Sequence, residues 1–361
     1  LAQDKDALIA RATADILHGL SSKQQSQSSE FQERAYQEYV AQIKNKSFKT
    51  NITTAVNLVR HTAGSTLQEA FSQEAKAFYS ILTQEALIDQ LRSYYYGIQA
   101  ARHQPISKTQ TTYTPQKIGV LGAGMMGAGI AFQAASAGIE VYIKDVTKAM
   151  AQAAVDHAYK ISQKLVSSGK MTESQQEDLL QRIHPTDAVD SIPEVDLFIE
   201  AVFEDKNVKA VVTKECMHKL QKQGIFASNT TSLPIHELAE ALTDPSQFIG
   251  MHFFSPVDRM PLVEVIRAKQ TSEDTLAKAL RVAHVLGKTP IVVNDSPGFF
   301  TSRIFFNYLL EGITLVLEGI PAAEIESAAA QAGFAVGPLA VLDEISLPLM
   351  MHVYEQLPAL S

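Results

Sequence analysis

From Lys117 onward, short apolar runs recur between longer stretches of helical period. KIGVL (117–121), VYIKDV (141–146), VDLFIEAVF (195–203), IFASNT (225–230), FIGMHFF (248–254), LVEVI (262–266) and PIVVN (290–294) are β-branched or aromatic. Such runs predict strands, and helical segments separate most of them. The alternation predicts an α/β domain built on a doubly wound parallel sheet. After Asp295-Ser296-Pro297-Gly298 the strand pattern stops. FFTSRIFFNYLLEGITLVLEG (299–319) carries helical period only, which predicts an all-α second part.

The pattern ahead of Lys117 differs. In 65–100, Leu67, Phe71, Ala75, Phe78 and Leu82 recur at three- and four-residue steps, predicting an amphipathic helix pair. SSKQQSQSSE (21–30) reads as a polar, partly disordered tract, and SKTQTTYTPQ (107–116) as a linker. The expected division is therefore 1–62, a tail of something preceding; 63–116, a helical linker; 117–295, the α/β domain; and 296–361, an all-α domain cut short. The start at Leu1 rather than Met adds to the expectation of a piece of a longer protein.

Composition narrows the function. The 361 residues are 46% hydrophobic and 19% charged, enough for large cores in two or three domains. A net charge of −8 gives no basic field for nucleic acid or an anionic membrane. No apolar run reaches the roughly 18 residues of a membrane span. The single cysteine, Cys216, excludes an internal disulfide or a zinc cluster and suits a reducing cytoplasm. It lies on an amphipathic helix among lysines and reads as structural. The ten histidines show no metal-ligand spacing.

LGAGMMGAG (121–129) follows the first strand and opens a helix. Gly122, Gly124 and Gly127 fit G-x-G-x-x-G. Alone the triplet is a weak sign; a strand before, a helix after and an acid ending the second strand give it weight. Gly122 permits a tight turn, Gly124 a close pyrophosphate, and Gly127 close helix–strand packing. The phosphates then meet N–H groups at a helix start. Asp145 is placed to accept hydrogen bonds from an adenosine ribose and to repel a 2′-phosphate, which favours NAD over NADP. Lys144 and Lys148 weaken that preference slightly. Met125 and Met126 are expected to pack against sheet and cofactor. The fold expected is thus of Rossmann type; the blander alternative is a glycine turn with no ligand.

MHFFSPVDRMPLVE (251–264) places His252 in an apolar run and Glu264 between two valines. Each alone reads as an ordinary strand position. If SPVDRMP is a turn between antiparallel strands, the two side chains lie across from each other. That is the geometry of a base oriented by a carboxylate. Parallel sheets bind ligands at the carboxyl ends of their strands, where His252 and the hydroxyl-rich SNTTS (228–232) fall. We therefore read His252 and Glu264 as an acid–base pair.

IGVLGAGMMGAGIA, LFIEAVFED, ASNTTSLPI, GMHFFSPVDRMPLVEVI, GKTPIVVNDSPGFF and VGPLAVLDE follow one another in this order. In order and spacing they resemble the L-3-hydroxyacyl-CoA dehydrogenases, from about Lys117 to the C-terminus. The likeness is strongest to the dehydrogenase part of multifunctional fatty-acid oxidation proteins of the α-subunit type. It implies oxidation of 3-hydroxyacyl-CoA by NAD in β-oxidation, with His252 as base and Glu264 as its orienter. It also implies cofactor contacts from Met126, Asp145, Val202, Phe203, Glu204, Lys209, Thr231 and Ser255, and substrate contacts from Thr231 and Ser302. Ser255 and Ser302 stand where the family often has asparagine, and Thr231 where it usually has serine. Lys164 and Lys170 are read equally as CoA phosphate contacts or as solvated charges. Residues 67–103 look like the linker after an enoyl-CoA hydratase domain, which makes 1–62 that domain's tail and sets Tyr94-Tyr95-Tyr96 against it. The implied partners are a thiolase subunit and either a second copy or a second helical repeat. Two alternatives stay open: a monofunctional 3-hydroxybutyryl-CoA dehydrogenase, which the helices of 65–100 speak against, and a non-catalytic NAD-binding fragment.

Overall fold

The computed structural model describes residues 49–62, 64–83, 88, 91–103 and 112–345. The tract 21–30, most of the expected tail 1–62 and positions 107–111 lie outside the described residues. Two compact units emerge. One takes the described residues before 90 together with 326–337; the other takes 90–325 with 338–345.

In the first unit, α1 spans Lys49–Thr62 and α2 Leu67–Leu82. Thr66 starts α2 through a capping box: its hydroxyl accepts from Glu69 N–H, and its own N–H donates to the Glu69 carboxylate at 2.9 Å. The expected helix forms with its apolar stripe intact. No residue of α2 is buried, however, and Phe71 on the stripe is 60% exposed. Among the described residues α2 is therefore only partly covered, and the capping box is the local feature that starts it.

The second unit begins with a π-helical turn, Leu91–Tyr96, and α3, Gly97–His103. Then follow β1 Lys117–Leu121, α4 Met125–Ser136, β2 Glu140–Lys144, α5 Lys148–Ser167, α6 Glu173–Gln181 and β3 Ile183–Thr186. Next come β4 Val195–Glu200, α7 Lys206–Cys216, β5 Leu220–Ser228, α8 Ile235–Ala239 and β6 Phe248–Phe253. The sheet is completed by β7 Leu262–Arg267, α9 Glu273–Val285 and β8 Thr289–Asn294. Three helices follow along the chain: α10 Thr301–Leu317, α11 Ala322–Gln331, whose residues from 326 on belong to the first unit, and α12 Pro338–Ile345.

The eight strands order as β3-β2-β1-β4-β5-β6-β7-β8. The first six are parallel; β7 runs antiparallel to β6, and β8 parallel to β7. The expected doubly wound sheet is present, with one reversal at its end. β3 (IHPT) is an addition to the predicted strands. It is four residues long, lies at the sheet edge and contains Pro185, and only an edge tolerates proline. β4 stops at Glu200 rather than 203 because the Glu200 side chain accepts the Val202 N–H at 2.8 Å and turns the chain.

Successive residues of β4 feed opposite faces: Leu197 and Ile199 join one buried cluster, Phe198 the other. Each such side chain contributes about 1.5–3 kcal/mol by leaving water. Gly119 is required by that packing, since a Cβ there would lie 2.2 Å from the Phe198 ring. The end of the expected linker is pinned to β4: Tyr113 Oη donates to the Asp196 carbonyl at 2.7 Å, and Gln116 and Lys117 N–H donate to its carboxylate. Phe306, Leu309 and Leu342 join α10 to α12, with Gly312 leaving room for Pro338.

Candidate active site

The glycine loop sits at the carboxyl end of β1. Gly122 has φ +97°, and a Cβ there would lie 2.6 Å from the Ala201 carbonyl oxygen. A Cβ at Gly127 would lie 1.8 Å from the Gly122 carbonyl oxygen, so helix and turn can meet only through glycine. Gly124 is the opposite case: a Cβ there meets no atom within 4 Å. It also gives α4 no side-chain cap, so the first-turn N–H groups are left for a ligand. Open space over a helix N-terminus is what a pyrophosphate requires, and the residues fit a dinucleotide. Asp145 closes the cradle, accepting the Ala123 N–H at 2.7 Å and the Val146 N–H at 2.6 Å. Lys144 pairs with Glu215 at 3.7 Å, which limits its pull on a 2′-phosphate. Met126 packs on the core, whereas Met125 is exposed and does not pack into the sheet as expected. Its sulfur instead accepts from Ser255 Oγ at 3.6 Å, joining the loop to the turn after β6.

Phe203, after β4, is 73% exposed, and Val202 is half-buried beside it. Lys209 is 1% exposed and does not reach open space. Its ammonium lies 2.9 Å from Glu200 and 3.3 Å from Glu204, and donates to the Val202 and Asn229 carbonyls, both at 3.4 Å. Any effect of Lys209 on a cofactor runs through the loops it holds. Glu204 Oε1 also accepts from Thr230 Oγ1 (2.6 Å) and from the N–H groups of Thr231 (2.9 Å) and Ser232 (3.1 Å). Burial pushes the Glu204 carboxyl up, but Lys209 and these donors outweigh it and hold it below its ordinary range. Burial wins at Glu200, whose carboxyl is raised despite Lys209. Glu200, Thr230 and Asn229 were not among the predicted site residues. Asn229 Oδ1 accepts the Phe253 N–H at 2.9 Å, tying the β5 loop to the strand of His252.

His252 and Glu264 are register partners in the antiparallel β6–β7 pair. The imidazole Nδ1 lies 2.8 Å from Glu264 Oε2. A carboxylate accepts, so Nδ1 donates the shared proton, and in the neutral ring Nε2 carries the lone pair. Glu264 is fully buried. Burial pushes its carboxyl up, and the bonds from His252 and Thr301 outweigh that and hold it low. The pair also rests against phenyl rings, with the Phe254 centroid 4.5 Å from the imidazole. Lys288 secures the turn between the strands: its ammonium donates to the Val257 carbonyl and, at 3.0 Å, to that of Met260. Val257 in turn abuts Gly129 of α4, where a Cβ would come within 2.9 Å. Ser302 is buried in the first turn of α10, one residue beyond Thr301. Lys164 and Lys170 are exposed. Burial pushes the Cys216 thiol up to about 12, so it holds its proton and packs as an apolar residue. Among the described residues no group of three metal-ligating side chains occurs, and no helix is long and apolar enough to cross a membrane.

A dinucleotide cradle beside a histidine able to take one proton defines a class, the nicotinamide-dependent dehydrogenases. The family follows from comparison. Residues 117–296 match the family described as 3-hydroxyacyl-CoA dehydrogenase, NAD binding domain, and 298–360 match its C-terminal domain. The chain belongs to the 3-hydroxyacyl-CoA dehydrogenase family. FadB2 of M. tuberculosis is similar at 33% identity and a TM-score of 0.65, over 68% of this chain and 87% of that one. The (S)-3-hydroxybutyryl-CoA dehydrogenase PaaH1 of Ralstonia eutropha is 36% identical, with the same TM-score and the same coverage of both chains. The dehydrogenase part of a multifunctional enzyme from C. elegans shares the fold at 21% identity and a TM-score of 0.53, over 73% of this chain and 64% of that one.

Proposed function

We propose that the chain oxidises the 3-hydroxyl of a 3-hydroxyacyl-CoA to a ketone, with His252 as the general base. Bound NAD supplies the hydride acceptor. His252 Nε2 takes the hydroxyl proton as the C3–H hydride leaves, and the imidazole becomes imidazolium. Glu264 keeps Nδ1 protonated throughout, so Nε2 is always the nitrogen that accepts, and its charge stabilises the imidazolium. In the reverse direction the same imidazolium returns the proton to the alkoxide. The observation that carries the reading is the 2.8 Å contact between Nδ1 and Glu264 on a turn that touches the glycine loop.

Thr231 and Ser302 are proposed substrate contacts, and Met126, Asp145, Val202, Phe203, Glu204, Thr231 and Ser255 line the proposed cofactor path, with Lys209 beneath it. Fatty-acid β-oxidation within a multifunctional protein is the proposed setting. The helices of 49–103 ahead of the dinucleotide domain support it. Acetoacetyl-CoA is the first substrate to test, because the R. eutropha relative is named as a hydroxybutyryl-CoA enzyme. Loss of NADH absorbance follows turnover. His252→Ala is expected to lower kcat by about 10²–10⁴-fold with NADH binding unchanged. An alanine variant as active as the parent removes the histidine from the chemistry. NADH binding by the parent without turnover on any acyl-CoA favours the non-catalytic reading.

A further inference from the structure

The carboxylate of Glu264 is held by more than its histidine. Oε1 accepts from the N–H groups of Phe300 (3.1 Å) and Thr301 (2.8 Å). Oε2 accepts from Thr301 Oγ1 at 2.7 Å as well as from His252. The two N–H groups are the start of α10, whose own N-cap residue, Phe300, makes no side-chain cap bond. Glu264 reaches across from β7 and fills that place. The chain is turned to meet it at Gly298 and Phe299, both with positive φ (70° and 49°). A bulky residue in that region is held there by its surroundings. Phe299 is almost fully buried, with its ring 6.2 Å from that of His252.

Resting on the reading of His252 as the base, we infer that Thr301 is a positioning residue of the proton-transfer pair, whose hydroxyl aims Glu264 Oε2 at His252 and limits how strongly the carboxylate holds the imidazolium. A carboxylate shared among four donors is less basic than one that serves the imidazole alone. Its pull on the Nδ1 proton is correspondingly weaker. The groups facing Glu264 are His252 from β6, Thr301 from α10 and, as register partner on β8, the uncharged Ile291. Among these His252 is thus the ionisable partner of the carboxylate, and the Thr301 hydroxyl is what moderates it.

The test compares Thr301→Val with Thr301→Ser. Valine keeps the shape and removes the hydroxyl; serine keeps the hydroxyl. The His252 imidazole is titrated by NMR in the protein without cofactor, and kcat/KM for the oxidation direction is measured against pH. Without the hydroxyl, Glu264 gives more of its charge to the imidazole and His252 releases its proton less readily. Thr301→Val is expected to move both the titration and the acid limb upward by about half to one pH unit, a three- to tenfold change in proton affinity. Thr301→Ser is expected to titrate like the parent. A valine variant that titrates where the parent does, or a serine variant that shifts as far as valine, overturns the assignment. Should valine prevent folding, Thr301→Ala must shift the titration the same way, and an unmoved titration there overturns it equally. Because the NMR titration needs no turnover, it decides this role even if no acyl-CoA proves to be a substrate.

Discussion

The glycine loop and the proton-transfer pair do their work by opposite means. The loop is one run of consecutive residues and acts through what it lacks. A Cβ would strike backbone at Gly122 and Gly127, while at Gly124 it would occupy empty space that a ligand can use. The pair is assembled from three separate segments and acts through what each side chain adds. Glu264 alone engages donors from β6, α10 and the residue before α10. The first region is backbone with its polar groups left open; the second is side chain with both oxygens of Glu264 engaged. Adding atoms should break the first, and removing atoms the second.

The hardest strike on this contrast falls between the regions, at Lys209. Lys209→Met leaves Glu200 and Glu204 buried without their cation. The expected loss is about 3–5 kcal/mol in urea unfolding, larger than for any single surface change. An unchanged midpoint would mean that the cluster does not join the loops. Gly127→Ala comes next. Overpacking against backbone costs about 1–3 kcal/mol, and NADH binding should weaken with it, since the helix must back away from the turn. A variant that binds NADH as the parent does would show that the close approach is not needed. The smallest effect is expected at Asp145. Asp145→Asn keeps the size and removes the charge. The preference for NAD over NADP should narrow by about tenfold, or 1.4 kcal/mol, in competitive binding. A preference left intact would place discrimination elsewhere in the cradle.

How much could be read from the sequence follows the same division. The glycine loop was legible because its chemistry is local: strand, glycines and helix are contiguous. The register of His252 with Glu264 was legible as a condition, given an antiparallel turn, and β6–β7 supplies that turn. Thr301 was not legible. Its neighbour Ser302 drew attention, yet it is the hydroxyl of Thr301 that meets Glu264, and the two positive-φ residues before it decide that. A hydroxyl at the first position of a helix without its own cap was the signal available. Glu200 was hidden for a related reason. In LFIEAVF it looks like the outer face of a strand end, and only the β4–β5 alignment and α7 bring Lys209 and Ser228 to it. β3 lacked the length and the period that reveal a strand. On α2 the opposite holds: its stripe was plain in the sequence, and nothing among the described residues of α2 is buried.

One consequence of Glu264 standing in for the cap of α10 concerns mutational drift. Groups that serve chemistry alone are often exchanged at a gain in stability, because a fold has no use for them. Glu264 offers no such exchange. Its loss takes away the orienter of the base and, in the same step, the anchor of the first helix of the second part. Selection for a sturdy fold and selection for turnover therefore act on it in the same direction. His252 shares part of this double demand, since it donates to a buried carboxylate, but it anchors no helix, so an idle copy of this protein would be expected to lose its base before its carboxylate.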